Sequence, residues 1–151
     1  MNALKRTIAD DLAFQQLVVL LDKDLAERDG EEHSFYAQFN KLNKIKYVVL
    51  AYHGNEAISC GAIKEYDSET MEVKRMYTHP KYRGKGMASL VLQELEQWAQ
   101  ELGYEKCILE TGIKQPEAIQ LYQKNGYKLI PNYGQYAGVT DSRCFEKKLS
   151  N

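Results

Sequence analysis

The 151-residue chain offers nothing from which to build a disulfide framework, a membrane span or a polyanion-binding surface. Cysteine is scarce: Cys60, Cys107 and Cys144 are widely spaced, odd in number and form no C-x-x-C pair. That excludes a cystine scaffold and a thiolate zinc site, implies no metal, and fits a reducing, cytoplasmic setting. Each cysteine lies in an apolar run, as a small buried hydrophobe does. With 3 prolines and 10 glycines the chain is neither collagenous nor of low complexity. Apolar stretches such as Tyr47 to Tyr52 stop far short of the roughly 18 residues a span requires, and MNALKRTIAD has no apolar core for a signal peptide. Neither sign of charge predominates: 20 Lys+Arg against 21 Asp+Glu give a net charge of −1, which argues against nucleic-acid and membrane partners.

What is present is an ordinary globular composition, 44% hydrophobic and 27% charged, from which one domain over residues 1–151 is expected. Leu12, Leu17, Leu20, Leu21 and Leu25 recur at helical spacing and predict a helix from Asp10 to Arg28, with a shorter one from Ser34 to about Asn43. The period then shortens. Lys46–Tyr52 and Ala57–Tyr66 predict a hairpin about His53–Glu56, and Met71–Thr78 a third strand antiparallel to the second. Met87, Val91, Leu95, Trp98 and Leu102 mark a helix that crosses over to a parallel strand at Lys106–Thr111. Pro116 opens a further helix ending at Gly126, and two final strands, Tyr127–Ile130 and Ser142–Leu149, flank the loop PNYGQYAGVTD. The expected class is α+β with a mixed, mostly antiparallel sheet.

One strand is unusual. Glu72, Lys74 and Arg75 put polar groups on both faces of Met71–Thr78, where a central strand ordinarily reads as continuous apolar residues. From Lys74 to Lys85 five basic residues (Lys74, Arg75, Lys81, Arg83 and Lys85) occur with no acidic one, and the stretch runs into a helix N-terminus. Free N–H groups and the positive end of the helix dipole make such a terminus an anion site. Gly84 and Gly86 carry no Cβ to hold a phosphate away. A Walker A loop is excluded, because Lys85 is followed by Gly86 and not by Ser or Thr. A dinucleotide fingerprint nearly fits Gly84-x-Gly86-x-x-Ser89, but its third glycine is Ser and the five residues HPKYR separate strand from turn.

The run EVKRMYTHPKYRGKGMASLVLQELE resembles the central motif of the GCN5-related N-acetyltransferases, whose R/Q-x-x-G-x-G/A pattern is met by Arg83, Gly86 and Ala88. The likeness continues through AIQLYQKNGY and follows the family's element order from Lys46 to Leu149. It implies a cytoplasmic acetyltransferase of α/β/α layering, in which acetyl-coenzyme A lies where two central parallel strands splay apart. By position the resemblance assigns the pantetheine arm to the backbone of Met76, Tyr77 and Thr78. It places Arg83 in the coenzyme site and assigns the pyrophosphate to the amides of Gly84, Lys85, Gly86, Met87, Ala88 and Ser89, with Gln115 where several relatives have an Asn.

Acyl transfer to an amine raises two proton problems. An alkylammonium near pKa 10 is about one part in a thousand neutral at pH 7, so a base is required, and the departing thiolate needs a proton. Tyr122 matches the family's tyrosine at the sulfur; Glu110 and Glu72 match base positions used by different members, Glu110 being slightly favoured. Tyr36, Phe39, Asn40, Asn132, Tyr133 and Tyr136 are candidate walls for the acceptor, expected to be a small-molecule amine. An acidic cluster from Asp22 to Glu32 offers attraction for a cation. The alternatives are a peptide acceptor, a non-catalytic acyl-coenzyme A module and, for assembly, a homodimer.

Overall fold

The computed structural model describes residues 2–29 and 45–149. Its strands are β1 (Asn2–Thr7), β2 (Tyr47–His53), β3 (Glu56–Asp67), β4 (Thr70–Thr78), β5 (Lys106–Gly112), β6 (Lys128–Ile130) and β7 (Ser142–Lys148). The described helices are α1 (Leu12–Asp29), α2 (Met87–Glu101) and α3 (Pro116–Lys124). The short helix expected over Ser34–Asn43 lies outside the described residues.

The seven strands of the described residues form one sheet in the order β1-β2-β3-β4-β5-β7-β6, antiparallel throughout except for β4 and β5. This is the mixed, mostly antiparallel α+β sheet that the sequence predicts, with the α2 crossover making β4 and β5 parallel. Strand β1 was not anticipated. Most of its residues are exposed, so it lacks the buried alternation that marks a strand. Its place comes from pairing with β2 and from Arg6, which reaches Glu94 at 2.7 Å and Glu101 at 2.8 Å and lies 4.9 Å above the Trp98 ring.

Side chains alternate across the sheet and divide the core in two. On one face Met71, Val73, Cys107, Leu109 and Phe145 pack against Val91, Leu92 and Leu95 of α2 and Tyr122 of α3. On the other, Val48, Leu50, Cys60 and Ala62 pack against Phe14, Leu17, Val18 and Leu21 of α1. Gly61 is required by the first packing: a Cβ there would strike Met76 Sδ and lie 2.9 Å from Leu95 Cδ1. The three thiols are free and buried, as expected of small core residues.

A bulge interrupts this alternation in β4. Cys60 pairs with Tyr77 but Ala62 with Lys74, so β4 carries one extra residue there. Arg75 has φ +60°, a left-handed value that a residue with a Cβ seldom adopts. The Cys60 thiol donates to its carbonyl at 3.3 Å. Beyond the bulge the parity is reversed: Met76 now packs with the α2 face and Tyr77 with the α1 face.

Candidate active site

The β4–β5 ladder consists of only three rungs, Thr70 with Lys106, Met71 with Cys107 and Glu72 with Ile108. Past Glu72 the parallel strands separate, and a cleft of about 500 Å³ opens between them. Its lining comes from β4 between Val73 and Thr78, the turn and first residues of α2, the end of β5 and one face of α3. The polar character of β4 is thereby explained, since part of the strand borders a cleft instead of core.

The turn before α2 forms one end of that cleft. Gly84 and Gly86 have φ +78° and +82°, and a Cβ on either would meet nothing within 4 Å. The requirement at these positions is therefore conformational, and the space in front of the helix N-terminus is open. Gly84, Gly86, Met87, Ala88 and Ser89 border the cleft with Arg83, whose Nε donates to the Thr78 carbonyl at 2.8 Å. The open glycine turn, the unpaired edge of β4 and the adjacent cationic side chains fit an extended ligand bearing phosphates. Lys85 is absent from the lining; its Nζ lies 5.6 Å from the centre of the Tyr82 ring.

The basic residues do not act as one group. Lys74 projects to the α1 face, where its Nζ lies 3.5 Å from Glu72 Oε2 and donates to Tyr136 Oη at 3.2 Å. Arg75, buried at the bulge, donates from Nη1 to Asp22 at 2.6 Å. Arg83 lies 4.0 Å from Asp24. Asp22 and Asp24, expected as part of an attractive acidic cluster, thus balance cations of the β4 segment.

The two candidate bases share one face of the sheet, because Glu72 is level with Ile108 and Glu110 follows two residues later. Their surroundings differ. Glu72 is buried behind Lys74 and accepts from Tyr133 Oη at 2.7 Å, and it does not border the cleft. Glu110 borders it and accepts from Ser142 Oγ at 2.6 Å. Tyr122 approaches from the opposite face, packed edge-on against Tyr127. Burial, and then the negative charge of Glu110, push its phenol well above the usual value of 10, so it holds its proton at neutral pH. Gln115 caps α3, which begins at Pro116, and also borders the cleft.

The acceptor side departs from expectation in part. Tyr136 borders the cleft, and its phenol is raised by burial and by the charges of Glu110 and Glu72. Asn132 and Tyr133 do not border it. Asn132 braces its own loop by donating to the carbonyls of Val139 and Ser142, and Tyr133 is committed to Glu72. Tyr36, Phe39 and Asn40 lie outside the described residues. Sequence reasoning missed the hydroxyl of Ser142 and the lining contributed by α1 through Leu21, Asp24 and Leu25. Only the unexplained polarity of β4 hinted that α1 would meet it there.

Residues 14–127 match the family model described as the acetyltransferase (GNAT) family. The uncharacterized N-acetyltransferase YsnE of Bacillus subtilis is 36% identical over 148 residues, which span 93% of this chain and 97% of that protein. The IAA acetyltransferase of Azospirillum brasilense is 31% identical over 140 residues, 91% of each. Among solved structures, a candidate acyl-CoA N-acyltransferase from Klebsiella pneumoniae superposes with a TM-score of 0.82 at 28% identity over 99% of both chains. An acetyltransferase of the same family from Elizabethkingia anophelis, solved with acetyl-CoA bound, shares the fold with a TM-score of 0.72 at 20% identity over 98% of both.

Proposed function

The chain belongs to the acetyltransferase (GNAT) family and is an acetyl-CoA-dependent N-acetyltransferase; on that premise we propose that its acceptor is the primary amine of a small molecule, with Glu110 as base and Tyr122 as acid. The observation that carries the assignment is that these two side chains border one cleft from opposite faces of the sheet, at the point where β4 and β5 part.

The coenzyme, when bound, supplies an acyl thioester. The backbone of Met76, Tyr77 and Thr78 would hold its extended arm, and the turn and helix start from Arg83 to Ser89 its phosphates, with Gln115 beside them. A backbone N–H of the β4 segment polarises the acyl carbonyl and stabilises the charge that develops on its oxygen. Glu110, oriented by Ser142 Oγ, takes a proton from the amine directly or through one water. As the amine nitrogen bonds to the acyl carbon and the carbon–sulfur bond breaks, Tyr122 gives its phenolic proton to the departing sulfur and is reprotonated through solvent as the nitrogen sheds its second proton. From an ammonium substrate the balance is one amide, one thiol and one released proton. Lys74 and Tyr133 hold Glu72 as a neutralised support under the acceptor wall.

Free-thiol release from acetyl-CoA across a panel of small primary amines, peptide N-termini and lysine peptides tests this reading. Turnover is expected with small amines. Release confined to peptides would overturn the small-molecule assignment.

A further inference from the structure

Resting on the amine-acetylation reading above, we propose that the acceptor also carries a carboxylate, which the Arg75 guanidinium binds while Glu110 receives the amine. The acceptor class is then an amino acid or a close amino-carboxylate.

Arg75 is a buried cation of the cleft wall with one N–H left unmatched. Its side chain is 5% exposed, it borders the cleft, and its Nε has no hydrogen-bond partner among the described residues. A buried guanidinium N–H without an acceptor is rare in a folded protein and asks for an explanation. Position supplies one. The bulge gives Arg75 its left-handed backbone and turns its side chain to the α1 face, the face that carries Glu110. Asp22 takes Nη1 at 2.6 Å and so fixes the plane of the group. The Nε edge left over lies out of solvent contact, and a small turn of the guanidinium about its Asp22 bond would present it as one of the forks by which arginine grips a carboxylate with two parallel hydrogen bonds.

Charge on the wall agrees. Lys74 and Arg75 both border the cleft on this side, opposite Glu110. Each of these cations is held by a single carboxylate, Lys74 by Glu72 and Arg75 by Asp22, so a plain alkylamine finds no further anion to displace and leaves Nε unmatched. An amino-carboxylate brings an anion for Arg75 and an ammonium for Glu110. Asp22 and Glu72 do not replace that anion, because Asp22 occupies Nη1 and Glu72 is spent on Lys74 and Tyr133.

The experiment compares kcat/KM for α-, β- and γ-amino acids with their primary amides, using free-thiol release and the full chain. Rates are referred to the neutral-amine concentration of each probe, because amidation lowers the pKa of the neighbouring amine. At least one free acid is expected to exceed its amide by about tenfold to a hundredfold, the worth of a charge-assisted hydrogen bond. Arg75→Gln should bring that ratio near one by raising KM for the acid, with KM for acetyl-CoA unchanged; Arg75→Lys should recover part of it. Acids and amides acetylated equally well by the native protein would overturn the inference and leave amine acetylation standing. An Arg75→Gln effect confined to KM for acetyl-CoA would also overturn it, by assigning the guanidinium to the coenzyme. Failure of acids, amides and simple amines alike to release thiol would remove the small-molecule acceptor and this inference with it.

Discussion

Tyr133 Oη donates to Glu72 Oε2 at 2.7 Å while Lys74 Nζ stands 3.5 Å from the same oxygen, so one of the two candidate bases is closed off and the other, Glu110, borders the cleft. That relationship separates two variants between which the sequence favours Glu110 only slightly. Glu110→Gln removes the proposed base and is expected to lower kcat by about 10²- to 10⁴-fold with little change in melting temperature. Glu72→Gln leaves a nearly buried ammonium without its counter-charge, costing about 1–3 kcal/mol and a melting point lower by several degrees. Steady-state kinetics and thermal melts on both proteins check the contrast; the reverse pattern would make Glu72 the base.

Close packing between β3 and α2 gives a second expectation. Gly61→Ala forces Met76 and Leu95 to move, and Met76 also borders the cleft. Methionine gives way more readily than backbone, so the variant should fold but lose about 1–3 kcal/mol. Its KM for acetyl-CoA should rise more than its KM for the amine. A melting point equal to that of the native protein would contradict the packing described.

Alkaline pH should unfold the protein by a predictable route. Burial pushes the Cys60 thiol from 9.0 up to about 12, with the Arg75 charge opposing, and Cys107 likewise to about 12. The folded state thus holds these protons more tightly than the unfolded chain. The stability linked to them is complete below pH 9.0 and is lost as pH climbs toward 12. Urea midpoints should be level from pH 7 to 8.5 and fall above pH 9. For the same reason a disulfide thiol reagent should find the native cysteines nearly inert at pH 7.5, so its signal reports released coenzyme A.

The glycine turn opens α2 at Gly86 with φ +82°, a position at which Gly86→Ala meets no steric clash but a backbone penalty of about 1–2 kcal/mol. Loss of affinity for coenzyme A by calorimetry, larger than the loss for a simple amine, is the expected result. Equal loss for both would mean that the turn supports the fold and not the phosphates.

Much of this site was legible in the sequence because its signals are local. Gly84 and Gly86, the apolar stripe of α2 and Pro116 each act through backbone or helix geometry that needs no distant partner. The splay of β4 from β5 was implied by the family resemblance and showed in the residues themselves only as polarity where apolar residues belonged. What sequence could not supply was direction. Lys74 faces Tyr136 and not the phosphate end, and the extra residue at Arg75 turns that side chain to Asp22 of α1 and reverses the alternation beyond it. Asn132 and Tyr133 were equally opaque, since whether a loop side chain lines a cleft or braces its own turn depends on contacts such as Val139 and Glu72. Strand β1 escaped because an exposed edge strand has no buried face to impose a period.

The most direct test of the account is the turnover number of Tyr122→Phe set beside its dissociation constant for acetyl-CoA. The phenyl ring fills the same buried space and deletes only the acid. The account predicts kcat lower by about 10²- to 10⁴-fold with coenzyme affinity within about twofold of the native value. A kcat equal to that of the native protein would contradict it.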